Sequence, residues 1–148
     1  MKKTITFLLL ICLCVSLCSC TPEAGQTVET ITLSEDNWRR YLCIEKETQN
    51  YVCNEVFLGT TYATADCVIN VFKSTQCSFS NVVIRLEVYS ATVCWQKETK
   101  TIELKVSADG YATKRVSFTS ERMIPGCLPE PFFNYRIISV SGTVQVKT

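Results

Sequence analysis

Ten cysteines and no histidine stand in this 148-residue chain. Thiols are therefore its most reactive side chains. Cysteine can pair into disulfides, hold zinc, or act as a nucleophile once its thiolate is stabilised. Four cysteines crowd into one apolar run near the start, CLCVSLCSC. The other six, Cys43, Cys53, Cys67, Cys77, Cys94 and Cys127, are spread through the body of the chain. No two of these six are closer than ten residues. Zinc sites bring ligands in close pairs such as CxxC, so this spacing argues against a metal. An even number of spaced cysteines suits a disulfide framework if the chain is exported. The equal ten-residue steps from Cys43 to Cys53 and from Cys67 to Cys77 would suit residues facing across a hairpin. They suggest the pairing 43–53, 67–77 and 94–127. The plainer reading is six free thiols packed as small apolar residues.

The lack of histidine excludes more. Ser-His-Asp and Cys-His catalysis need an imidazole base, and histidine-ligated metals are ruled out. A thiol enzyme would have to activate its cysteine with a nearby Lys or Arg. The close carboxylate pairs, Glu35 with Asp36 and Glu45 with Glu47, read as solvated faces rather than catalytic dyads. Gly25, Gly59, Gly110, Gly126 and Gly142 are isolated, so no glycine-rich phosphate loop is expected. No cofactor and no enzymatic activity are expected. No basic stripe interleaves with aromatics, which argues against nucleic acid.

The N-terminus carries an address. Lys2 and Lys3 precede an uncharged apolar run from Ile5 to Leu17, as in an export signal. The run is shorter than the roughly 20 residues that span a bilayer. Leu17-Cys18-Ser19-Cys20 resembles a bacterial lipobox. That resemblance implies a lipid on the Cys20 thiol, removal of 1–19 as a lipoprotein signal peptide, and attachment to the outer face of the bacterial cell membrane. Cys12, Cys14 and Cys18 would be discarded. Two acyl chains anchor a protein stably where one does not. Without Lys2 and Lys3, the 15 basic residues fall to 13, against 14 acidic ones. Residues 20–27 read as a short tether, and 28–148 as one domain.

The body reads as strands. Val28–Leu33 is the first, followed by a short helix near 34–42. Ser34 would cap it, and Trp38, Tyr41 and Leu42 would share its buried face. A strand follows from about 42 to 47. Beyond it the pattern has period two. Val82, Ile84, Leu86 and Val88 alternate with Val83, Arg85, Glu87 and Tyr89. Ile102, Leu104 and Val106 form a second such run, and Ile138, Val140, Gly142, Val144 and Val146 a third. Each implies one buried and one wet face. Asp109-Gly110 predicts a hairpin between KTIELKVSA and ATKRVSFTS. Softer turns are expected at Leu58-Gly59-Thr60, Ser78 to Asn81 and Gln96 to Thr99. The sum is an all-β chain, an antiparallel β-sandwich of about seven to nine strands. With the lipobox, the ITLSEDNWRRYL-like segment and the closing VSGTVQVK-like strand, it resembles small immunoglobulin-like surface lipoproteins of Gram-positive bacteria. The resemblance implies an architecture and an address, not a mechanism.

The least sheet-like segment, RMIPGCLPEPFF (122–133), holds three of the chain's four prolines. It reads first as a connection whose apolar residues cap one end of the sandwich, and second as a proline-stiffened binding lip of Met123, Ile124, Leu128, Phe132 and Phe133. Trp95 and Tyr89 would belong to the same end. Together these features predict a membrane-anchored, non-catalytic binding or accessory module for a protein or glycan at the cell surface. The alternatives are a structural envelope protein that self-associates through a strand edge, and a thiol-based redox protein.

Overall fold

The computed structural model of the chain describes residues 27–56, 60–95, 98–120 and 129–147. Seven strands build two antiparallel sheets: β1 (Val28–Thr32), β2 (Leu42–Val56), β3 (Thr60–Lys73), β4 (Cys77–Ser90), β5 (Thr99–Lys105), β6 (Ala112–Thr119) and β7 (Phe133–Lys147). One sheet runs β1-β7-β4-β5 and the other β2-β3-β6. This is the all-β sandwich that the alternating pattern implies. The four-plus-three division matches an immunoglobulin constant-type domain, but the strand order does not. There the first strand lies beside the second, whereas here β1 pairs with β7, the last.

The core forms where the two inner faces meet. Val82, Ile84, Leu86 and Val88 of β4 are essentially sealed, as are Ile69 and Val71 of β3 and Val144 of β7. Three register shifts alter which residues reach this core. In β2 the pairing slips between Gln49 and Val52, where Asn50 adopts a positive φ of 52°. The extra residue reverses the side-chain phase. Tyr51 and Cys53 then turn inward while Val52 is exposed. In β7 a similar shift between Ile137 and Ser139 turns Ile138 outward, to 38% exposure. The unbroken alternation from Ile138 to Val146 is corrected accordingly. The turn expected at Ser78 to Asn81 is instead a third bulge within β4, with Asn81 at φ 52°.

Two further expectations change. Asp109-Gly110 does reverse the chain, with Gly110 at φ 83° and its N–H donating to the Ser107 carbonyl at 2.9 Å. It does not join a paired hairpin: β5 pairs with β4, and β6 with β3 in the other sheet. A turn signal specifies reversal, while burial of both runs decides the partner strand. The helix near 34–42 is only a 3-10 turn at Trp38–Arg40. Asn37, rather than Ser34, closes the approach to it. Its side-chain oxygen accepts from Ser34 N–H and its amide donates to the Thr32 carbonyl, both at 2.9 Å. Trp38 is a core plug, 3% exposed. The expected signal segment 1–19, the expected lipid site Cys20 with the tether to 26, the turn expected at Leu58-Gly59, and Gln96 lie outside the described residues.

Candidate functional site

The sandwich has two distinct ends. At one, Val28 pairs with Lys147 and Cys77 with Val146. At the other, Ser90 pairs with Phe133. The 15 residues of β7 separate these ends by roughly 45 Å at the usual strand rise. The residues expected to form a lip divide here. Phe133 is core, 3% exposed, with its ring 4.7 Å from that of Phe118 and 6.4 Å from that of Trp95. Phe132, its neighbour, points the other way and is 62% exposed. Met123, Ile124, Leu128 and Cys127 lie outside the described residues. Trp95 belongs to this end: its indole N–H donates to the Pro129 carbonyl at 3.1 Å.

The exposed Phe132 ring stands on fixed backbone. Phe132 N–H donates to Thr92 Oγ1 and its carbonyl accepts from Ala91 N–H, each at 2.9 Å. On the other side Thr48 Oγ1 donates to the Pro131 carbonyl at 3.1 Å. Lys46 of β2 reaches across to donate to the Phe133 carbonyl and to Asn134 Oδ1, with its ammonium 4.1 Å from the Phe132 ring centroid. Val52, Tyr62 and Val93 are also exposed at this end. It therefore presents apolar side chains on a rigid frame, with a cation among them.

A second concavity, of about 500 Å³, opens where the 34–39 segment faces Tyr89 of β4 and Tyr135, Arg136 and Ile137 of β7. The Asn37 bonds fix the turn that carries Glu35 and Asp36. Arg39 lies over the Trp38 ring, 5.1 Å from its centroid. On the opposite wall Tyr89 pairs with Asn134, and Tyr135 and Arg136 follow. Glu87 Oε2 holds the Arg136 guanidinium at 2.5 Å. The Tyr135 hydroxyl donates to the Ile44 carbonyl at 3.4 Å. Burial pushes that hydroxyl above the ordinary phenol value, against the pull of the Arg39 charge, so it stays protonated as a donor. The spacing of Trp38 and Arg39 gave no warning of this groove, because it is assembled from segments nearly a hundred residues apart.

The cysteines do not converge. Cys43 and Cys53 both lie on β2, about 30 Å apart along one extended strand, far beyond disulfide reach. Cys67 lies six residues inside the end of β3, sealed in the core, while Cys77 opens β4 in the other sheet. The pairings 43–53 and 67–77 are therefore corrected: an equal spacing cannot tell a hairpin from a single long strand. Cys43, Cys53, Cys67, Cys77 and Cys94 are free thiols here. Burial raises the Cys67 thiol to about 11, with Lys46 pulling weakly the other way, which makes it a packing group rather than a nucleophile. Cys77 lines a separate recess with Val28 and Lys147 at the β1 end. Among the described residues no group of His, Cys, Asp or Glu is placed to hold a metal ion. The close carboxylates Glu45 and Glu47 are exposed on β2, as a solvated face would be.

No protein-family model, no curated protein and no solved structure matches this chain.

Proposed function

We propose that the chain is an exported lipoprotein that carries a non-catalytic binding module on the outer face of a bacterial membrane. Cys20 takes the lipid, and a tether of a few residues leads to β1. The observation that carries this reading is the position of Val28. The strand that follows the lipobox begins at the end of the sandwich opposite Phe132. An anchor at Cys20 would hold the Val28 end near the bilayer and turn the Phe132 end outward. A fixed, exposed aromatic with a neighbouring cation suits a protein–protein contact, since aromatic anchors dominate such interfaces.

Intact mass of the full chain made in a lipid-modifying bacterium tests the anchor. Loss of residues 1–19 with a diacylglyceryl increment supports it, and a Cys20→Ala chain should stay unmodified. An unmodified wild-type N-terminus would overturn it. Photo-crosslinking from position 132 on intact cells tests the far end, with exposed Tyr111 beside the Gly110 turn as the comparison site. Specific crosslinks at 132 but not at 111 are expected, and equal yields would remove the far end from the argument.

A further inference from the structure

We propose that the groove between the 34–39 segment and the β4–β7 face is a binding site for a neutral oligosaccharide. The inference rests on the binding-module reading but uses a second surface, whose lining does not include Phe132. Four charged residues line the groove, Glu35 and Asp36 against Arg39 and Arg136. Glu87 already pairs with Arg136, so the charges left to meet a ligand, Glu35 and Asp36 against Arg39, do not favour an anion. Carboxylates only accept hydrogen bonds and guanidiniums only donate. A ligand that satisfies both while staying neutral must offer groups that do both, as vicinal hydroxyls do. The planar guanidiniums suit paired oxygens on adjacent carbons. Each is already held in place, Arg39 by the Trp38 ring and Arg136 by Glu87, so little freedom is lost on binding.

Tyr89 supplies the other half of a sugar site. A tyrosine presents a flat apolar face and a polar tip, and a pyranose presents an apolar C–H face and a polar rim. Tyr89 and Tyr135 both line the groove from rigid paired strands, Tyr89 on the outward face opposite Asn134 and Tyr135 on the inward face opposite the sealed Val88. A purely apolar small molecule would instead need a pocket lined mainly by hydrophobic side chains.

The test is a titration of the full chain in detergent with a panel of linear tetrasaccharides. The neutral members are built of glucose, mannose, galactose or N-acetylglucosamine, and the charged ones are sulfated or uronic-acid counterparts. At least one neutral member should bind saturably. Tyr89→Ala and Glu35→Gln should each weaken it at least tenfold without moving the unfolding midpoint, while Tyr89→Phe should retain most of the affinity. Phe132→Ala should leave it unchanged. Failure of all neutral members at millimolar concentration, preference for the charged ones, or affinity indifferent to Tyr89→Ala would overturn the proposal. Neither result bears on the lipid at Cys20 or on crosslinking from 132, so the two readings can fail separately.

Discussion

The ammonium of Lys46 sits 4.1 Å from the centre of the Phe132 ring while it donates to the Phe133 carbonyl and to Asn134. One side chain thus ties an edge of the β2 sheet to the first residues of β7 in the other. Lys100 does the same on the opposite side of the sandwich, donating to the Ser117 carbonyl at 2.6 Å with its ammonium 5.2 Å from the Phe118 ring. The open sides of the two sheets are closed by the same device.

The two staples should differ in strength. Lys46 is half-buried and makes two hydrogen bonds through a charged group, each of a kind worth about 1.5–3 kcal/mol. Lys100 is 39% exposed and shared with Glu98, where screening leaves about 1 kcal/mol or less. Lys46→Met keeps the aliphatic stem and removes the charge, so it should lower stability by about 2 kcal/mol in urea titration. Lys100→Met should cost less than half of that. Equal losses would show that the Lys46 contacts carry no special weight.

Cys67 should behave as a hydrocarbon until the fold opens. It is fully sealed, and its thiol is raised from 9.0 to about 11. Alkylation of the native protein at pH 8 should spare Cys67, and denaturation should expose it, as read by peptide mass mapping. The same shift fixes a pH dependence. Between about 9 and about 11 the unfolded chain loses this proton and the folded chain keeps it. Stability therefore falls as pH rises through that window, by about 1.4 kcal/mol per unit from this group. Cys67→Ala should remove this component of the slope.

Asp66 supplies the acidic counterpart. Hydrogen bonds from Ser117 and from Asn50, the latter at 2.7 Å, hold its carboxyl below the ordinary value of 3.8, with Arg115 adding to them and burial opposing. A depressed carboxylate stabilises the fold above its unfolded value, and the contribution is lost as pH falls through the folded one. Asp66→Asn should therefore be less stable than wild type at pH 6, and the gap should narrow below pH 4. A gap that stays constant across that range would show that the carboxylate's charge is not involved.

The sequence pattern was legible wherever a strand kept its phase. Val82 to Val88 and Ile102 to Val106 fill the core as their alternation implies. Legibility ended at the bulges, because one inserted residue reverses every side chain beyond it. Ile138 and Val52 are exposed for that reason. The periodicity of Trp38, Tyr41 and Leu42 was real, but one turn is too short to separate an α-helix from a 3-10 turn. Phe132 and Phe133 are chemically identical, so only their strand parity distinguishes anchor from core. Lys46 left one faint mark: it occupies the inward phase between Ile44 and Thr48, where a lysine needs a partner. The groove left none, since Arg39 and Tyr135 meet only through the packing of the sheets.

Gly142 gives the sharpest test of the bulges. It sits where β7 passes the Asn81–Val82 irregularity of β4, at φ 112°. A Cβ built there would lie 2.6 Å from Val82 Cα and 2.7 Å from the Asn81 carbonyl oxygen. Both obstacles are backbone, so no rotamer change relieves them. An alanine must also hold a positive φ that L-residues resist, at about 1–2 kcal/mol. Gly142→Ala should therefore destabilise the domain by about 3 kcal/mol or more, well above a typical strand substitution. Gly110→Ala offers the comparison: it too holds a positive φ, but its nearest obstacle is a Phe79 ring atom, with Lys73 Cβ next, and no backbone atom stands among them. Denaturant unfolding should rank Gly142→Ala as the costlier of the two. The reverse order would mean that the β4 bulge yields more readily than the Phe79 ring, and that the register of β7 against β4 is not pinned at Gly142.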